Sequence, residues 1–283
     1  MNSRAGQFIV ITVLLPLLGG CTSFFSRPIK ICPGKNNVAE AIATLQGRSE
    51  KITAIKAAGL CEVKFFDNAG KEIRESFPIR VWAQPPQQIC LHADMLFSPG
   101  AIIAGANEND FWLCSSLMKY YAWGQFNGDG SITFVEDVPP VMLSFSPQLL
   151  FEAMGLIKIE NPLRWTLQNA RGLDILEKSA ANGEIVKRIQ INTCDYTAKT
   201  VEYLDSAGKV FASIELDDYK IIADKLAVPH KIKVVQSDAR GVFTSATIKL
   251  SKIQLTKLSD QQKRAFFTKP KPDGFDKILK ITQ

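Results

Sequence analysis

Apolar and polar residues alternate along most of the chain after residue 60, with the period of two that is typical of half-buried β-strands. In the first such segment Cys61, Val63 and Phe65 share one side, and Glu62 and Lys64 share the other. Short turns rich in Asp, Asn and Gly separate the segments, and connections this short favour antiparallel neighbours. The pattern predicts about eleven to thirteen antiparallel strands, including one at residues 131–135.

A different period precedes the first strand and predicts a helix. Asn36 or Asn37 can cap its beginning. Apolar residues then recur at helical spacing, namely Val38, Ile42, Leu45, Ile52 and Ile55. Gly59 is expected to end the helix. Gly47 leaves open a division into two shorter helices, because an interior glycine costs about 1 kcal/mol relative to alanine.

The most apolar segment after residue 20 lies at residues 138–157, where Glu152 is the one charged residue. Ser146 and Pro147 suit the cap and the first position of a helix, and Gly155 suits its end. A helix that is apolar on nearly all sides must be covered, or must itself cover something apolar. We interpret it as a lid inside a curved sheet, with a permanent core helix as the alternative.

The last long strand changes parity partway along its length. Ile248 and Leu250 share one face, whereas Ile253 and Leu255 have the opposite parity, which predicts a bulge near Ser251. Bulges help a sheet to curl. The fold class expected is therefore mainly β (α+β), an incomplete antiparallel β-barrel with an N-terminal helix and an apolar lid helix, forming a single domain over residues 36–283.

A final short helix is predicted after the barrel. Ser259 can cap it, and Phe266 is its large apolar residue.

The N-terminus carries an apolar run at residues 8–18 that follows Arg4 and ends in Leu-Gly-Gly before Cys21. The run is too short to span a bilayer, and its layout is that of a secretory signal peptide. Leu-Gly-Gly-Cys resembles the bacterial lipobox, which implies cleavage after residue 20 and acylation of Cys21. Residues 21–35 are then expected to be a lipidated tether. Thr22 after the cysteine indicates the outer membrane.

Charge adds little to this picture. The chain has a net charge of +6 at pH 7, with the positive residues spread along its length. Because no basic face with interleaved aromatic residues stands out, a nucleic-acid partner is not expected.

Candidate chemistry centres on the cysteines. Without Cys21 an odd number remains, so at least one thiol is unpaired in a monomer, and the pairing among them stays open: Cys32, Cys61, Cys90, Cys114 and Cys194. Cys90 and His92 share one strand face, with Cys61 or Cys114 as a candidate neighbour, but neither a third catalytic group nor a full metal-ligand set can be named. No catalytic residue, metal site or cofactor is therefore predicted.

The order of these elements resembles the superfamily of the periplasmic lipoprotein carrier and the outer-membrane lipoprotein receptor, LolA and LolB. The shared order is a lipobox, an amphipathic helix, six meandering strands, an apolar helix and further strands. Residues 107–113, Asn-Glu-Asn-Asp-Phe-Trp-Leu, are similar to the family's turn and following apolar-Trp-apolar strand. The carrier has an arginine before the proline that ends its second strand, whereas Gln84 and Pro85 precede Pro86 here. The resemblance therefore does not extend to the carrier's arginine latch on the lid.

The resemblance implies a non-enzymatic protein that holds lipid acyl chains, or the acylated end of a lipoprotein cargo, inside an unclosed barrel. The expected lining residues are Val63, Phe65, Ile79, Val81, Leu91, Leu113, Leu150 and Phe151. Leu96 and Phe97 match, by position, a receptor loop that touches the membrane; their alternative is to fold back onto the core.

The expected location is the bacterial envelope, on the outer membrane facing the periplasm, with a periplasmic carrier as a possible partner. The alternative function is a structural or adaptor lipoprotein without a lipid ligand.

Overall fold

The computed structural model describes residues 31–49, 52–67, 69–95, 98–125, 147–159, 161–223, 226–237 and 241–281. The strand predicted at 131–135, the signal peptide and Cys21 lie outside these residues. The elements in chain order are α1 (Val38–Ser49), β1 (Ile55–Phe66), β2 (Glu72–Gln84), β3 (Gln88–Met95), β4 (Ser98–Ala106), β5 (Asp110–Ser115), β6 (Tyr120–Gln125), α2 (Pro147–Ala153), β7 (Trp165–Ala170), β8 (Leu173–Ser179), β9 (Ile185–Asn192), β10 (Ala198–Leu204), β11 (Val210–Ala223), β12 (Leu226–Ser237), β13 (Phe243–Leu255), α3 (Asp260–Phe267) and β14 (Lys277–Ile281).

The described strands form one sheet of fourteen, in the order β14-β6-β5-β4-β3-β2-β1-β13-β12-β11-β10-β9-β8-β7. Neighbours are antiparallel except β14, which pairs parallel to β6. The sheet is not closed, because β7 and β14 stand at opposite ends of the strand order. The expected mainly β, incomplete barrel is confirmed. The prediction did not include β14.

The sheet curls around α2. This helix contacts β3 and β4 on one side and β11 and β12 on the other. In a flat sheet β3 and β12 would be four strand spacings apart, or roughly 19 Å, whereas a helix of this length is only about 10 Å long and wide. Contact with both sides therefore requires the strands to wrap around the helix.

The face that carries α2, here called the inner face, is apolar across both halves of the sheet. Directly paired residues of an antiparallel sheet share a face, so the registers trace rows across it. One row consists of Leu167, Leu176, Ile189, Val201, Ile214, Val234, Ala246 and Val63. A second row consists of Leu279, Ala122, Leu113, Ala104, Leu91, Val81, Ala57 and Ile253.

The predicted bulge is confirmed. Ala58 pairs with Lys252 and the next residue, Gly59, pairs with Leu250, so Ser251 is the extra residue of β13. The Ser251 hydroxyl donates to the carbonyl oxygen of Ala58 over 3.2 Å. Because of the bulge, Ile248 and Leu250 before it and Ile253 and Leu255 after it all lie on the inner face.

The N-terminal helix is shorter than predicted. It ends at Ser49, and Ile55 and Gly59 belong to β1 instead. A Cβ atom on Gly59 would lie 2.2 Å from the carbonyl oxygen of Lys249, so the glycine permits a close approach of β13 rather than ending a helix. Strand β1 pairs with β2 on one edge and with β13 on the other. This pairing outweighs the helical preference that the spacing of its apolar residues indicates.

Residues 31–35, the last part of the predicted tether, are attached to the sheet. Cys32 and Cys194 form a disulfide. The backbone N–H of Lys35 donates to the buried carboxylate of Asp174 over 3.0 Å. The other cysteines in the described residues, Cys61, Cys90 and Cys114, are free and buried. None of the helices described has the length and apolar character needed to cross a membrane.

Candidate functional site: the helix on the inner face

Helix α2 begins and ends on local sequence features. Pro147 is its first residue, as predicted, while the predicted cap, Ser146, lies outside the described residues. After the helix Gly155 has a φ of +74°, a conformation that glycine adopts without strain. The Gly155 N–H donates to the Glu152 carbonyl over 2.8 Å and the Leu156 N–H donates to the Phe151 carbonyl over 3.1 Å. These two bonds form a Schellman motif that stops the helix.

The apolar side chains of α2 complete the core of the barrel. Leu149, Leu150, Ala153 and Met154 are buried, and Phe151 is half-buried. The eight residues predicted to line the cavity all lie in or against this core cluster. Val63, Ile79, Val81, Leu91, Leu113 and Leu150 belong to it, and Phe65 and Phe151 pack on it from its edge. The structure therefore brings the predicted lining residues together, with the helix filling the space between them.

One small pocket lies beside the helix. A pocket between α1, α2 and the adjoining strands has a volume of about 20 Å³ and is lined by residues that include Leu45, Met154 and Tyr219. That is room for about one water molecule, whereas pockets for lipid-sized ligands are on the order of 300–1,000 Å³. This pocket could therefore take an acyl chain only if its walls, α2 among them, moved.

A polar cluster at α2 interrupts the apolar inner face. The carboxylate of Glu152 on α2 accepts hydrogen bonds from the ammonium group of Lys187 and, over 2.7 Å, from the hydroxyl of Tyr203. Lys187 and Tyr203 are directly paired across β9 and β10. All three residues are buried. The cluster thus joins the helix to the barrel wall by a buried ion pair.

Sequence reasoning found only one member of this cluster. Glu152 stood out as the single charge in an apolar segment. Lys187 was missed, although it shares strand parity with Ile189 and Ile191 and so occupies an inward position. A lysine at an inward position of an amphipathic strand needs a buried partner, and this signal could have identified Lys187.

The pair Cys90 and His92 lies on the opposite, outer face, where Cys90 packs with Trp82 and Phe267. Burial raises the pKa of the Cys90 thiol to about 12, and that of Cys114 to about 12 as well. Burial and the nearby charge of Arg80 lower the pKa of His92. The thiol is thus protonated at neutral pH and is a poor nucleophile. Across the residues described, no three His, Cys, Asp or Glu side chains are grouped to hold a metal ion.

Leu96 and Phe97 lie outside the described residues, between the end of β3 and the start of β4. The turn between β5 and β6, at the same end of the sheet, exposes Leu117 and Met118. This end of the barrel therefore presents large apolar side chains to solvent.

No protein-family model matches the sequence, and no curated protein matches it. Solved structures do resemble the fold. An outer membrane lipoprotein-sorting protein domain, so named, from Vibrio parahaemolyticus has 12% identity and a TM-score of 0.50, over 80% of this chain and 94% of that chain. A DUF1329 family protein from Desulfovibrio piger has 12% identity and a TM-score of 0.51, over 79% and 95%. A LolA superfamily protein from Nitrosomonas europaea has 10% identity and a TM-score of 0.48, over 78% and 96%. At the level of the fold, the resemblance to lipoprotein-sorting proteins is confirmed.

Proposed function

We propose that this protein is a lipid-anchored component of the bacterial envelope that binds lipid acyl chains on the inner face of its barrel and acts in lipoprotein sorting or insertion at the outer membrane. The observation that carries the proposal is the apolar inner face of an unclosed barrel, with the short apolar helix α2 packed against it. The fold likeness to a domain named for lipoprotein sorting supports it. The alternative is an adaptor protein in which α2 never leaves the barrel.

The energetics of burial allow an exchange between helix and ligand. The four buried apolar side chains of α2 carry about a dozen carbon atoms, and burial of each methylene is worth about 0.8 kcal/mol. An acyl chain of similar length would regain comparable burial against the same wall. The free energy of apolar burial is therefore about the same whether α2 or an acyl chain fills the space.

The test is replacement of Leu150 and Phe151 by alanine. The free energy of unfolding should fall by about 2–5 kcal/mol because buried hydrocarbon is lost, while uptake of a fluorescent fatty acid should rise because the helix competes less well. The matched control is Leu176→Ala in the barrel wall, which should lower stability without raising uptake. No uptake by the wild-type protein, together with simple unfolding of the double variant, would favour the adaptor alternative.

Membrane attachment is proposed through acylated Cys21, which lies outside the described residues. The Cys21→Ala variant should be released from membranes into the soluble fraction. If it instead fractionates with membranes through an uncleaved N-terminus, the first segment is a transmembrane anchor.

A second membrane contact is proposed at Leu96 and Phe97, supported by the exposed Leu117 and Met118 in the adjacent hairpin. Double substitution of Leu96 and Phe97 by glutamate should weaken liposome binding of the unlipidated chain with little change in thermal stability. The control is Ile221→Glu, an exposed residue at the opposite end of the sheet. Lost stability with unchanged liposome binding would place these residues in the core instead.

A further inference from the structure

The buried ion pair of the inner face is divided between a helix and a wall. Glu152 belongs to α2, a helix of seven residues. Lys187 and Tyr203 belong to β9 and β10, which are paired strands in the interior of the sheet. If α2 leaves the barrel, the carboxylate leaves with it and the two donors stay behind.

This division limits what can replace the helix. A buried ion pair adds little net stability compared with apolar packing, but removing one partner is strongly unfavourable because the other charge is left uncompensated. The Lys187 ammonium is buried, between its directly paired neighbours Lys178 and Tyr203 and next to the row that contains Ile189 and Val201. A ligand made only of hydrocarbon would regain the apolar contacts of α2 and leave this charge unpaired. A ligand that also carries an anionic group would pair with it.

We propose that Lys187 and Tyr203 form a headgroup site for the carboxylate of a fatty acid, and that Glu152 occupies this site in the ligand-free protein. This inference rests on the proposed function, because it places the acyl tail in the space that α2 now fills. Among the described residues, one oxygen of the Glu152 carboxylate accepts from the Lys187 ammonium and the other accepts from the Tyr203 hydroxyl. That arrangement fits a monoanion with two oxygens, with the tail running toward the position of Leu150.

The experiment compares two probes of equal chain length, dodecanoate and dodecanol, on the full chain carrying Cys21→Ala so that no anchor competes. Glu152→Gln keeps the shape of the helix but removes the competing charge. It should raise dodecanoate affinity about 10-fold or more, the effect of one charge-assisted hydrogen bond, and leave dodecanol affinity within about 2-fold. Lys187→Met should lower dodecanoate affinity by about the same factor.

The double variant Glu152→Gln with Lys187→Met guards against unfolding, because it leaves no buried charge unpaired. It should bind the two probes equally, whereas the wild-type protein should prefer dodecanoate. Binding of both probes without preference in the wild-type protein, or an equal gain for both in Glu152→Gln, would overturn the headgroup site and leave the proposed function standing. Binding of neither probe by any variant would overturn both.

Discussion

Two helices cover opposite faces of the same two strands, β3 and β4, and they do so by different physical means. On the outer face, α3 has its own capping box, in which Ser259 accepts from the Gln262 N–H and the Gln262 side chain accepts from the Ser259 N–H. Phe266 stacks on Trp82 at 4.2 Å between ring centroids, and Phe267 is buried. On the inner face, residues 149–153 of α2 are buried apart from the half-buried Phe151, and the helix reaches β11 and β12 as well.

The two helices differ in what holds them to the sheet. Helix α3 needs only one patch of strand surface and local capping, and most of its polar residues stay in water. Helix α2 depends on the curl of the whole sheet and on a charge from a distant strand. Its contacts are apolar apart from that charge, so a hydrocarbon ligand with an anionic end could reproduce them. We expect variants of the two helices to differ accordingly.

The largest effect is expected from Lys187→Met. The variant leaves the Glu152 carboxylate buried without its cation, which should reduce the free energy of unfolding by about 3–5 kcal/mol in urea titrations. Adding Glu152→Gln should restore much of the loss. The outer-face control, exposed Arg264→Met on α3, should change stability by about 0.5 kcal/mol or less. Wild-type stability in Lys187→Met would mean that the pair is not buried as described.

Phe267→Ala should cost about 3 kcal/mol, because the side chain is buried between α3 and the outer face of the sheet. Acyl-probe uptake should stay at the wild-type level, in contrast to the Leu150 and Phe151 double variant. Thermal denaturation and fluorescent fatty acid binding, measured on the same preparations, check both statements. Increased uptake would mean that α3 also competes with the ligand, and would contradict the expected difference between α2 and α3.

Gly59→Ala tests the curl on which only α2 depends. The new methyl group would meet the backbone of β13, a contact that side-chain motion cannot relieve, and should cost about 1–3 kcal/mol. Gly47→Ala in α1 is the matched control, because no atom lies within 4 Å of the added carbon. That control should be stabilised by up to about 1 kcal/mol. Equal effects of the two alanines in chemical denaturation would contradict the close approach of β1 and β13.

Ser259→Ala should have the smallest effect, about 1 kcal/mol, because it removes one side of the capping box of α3. Ser259→Asp should retain most of the stability, since its carboxylate can accept the same N–H. The change should appear in thermal denaturation without altering acyl-probe uptake. A loss as large as that of Phe267→Ala would mean that the cap also supports the sheet.

The cap of α3, the end of α2 at Gly155 and the bulge at Ser251 were all predictable from the sequence. Each depends on residues within a few positions of one another, so the pattern contains the physical cause. The inward parity of Val63, Ile79, Val81 and Leu91 was equally readable, because side chains alternate along any strand.

The remaining features depended on contacts between distant residues. Among the described side chains of strand β14, Leu279 faces inward, and the position of the strand beside β6 rests on backbone pairing that no local pattern encodes. The pairing of Cys32 with Cys194 joins positions 162 residues apart.

The same contrast applies to the candidate site. The sequence alone determined that a short apolar helix with one glutamate follows a series of amphipathic strands, because capping and periodicity are local. Only the tertiary structure decided that the glutamate meets Lys187 and Tyr203, because strand order and curl bring β9 and β10 to the helix, and a buried charge takes whichever partner the fold places within reach.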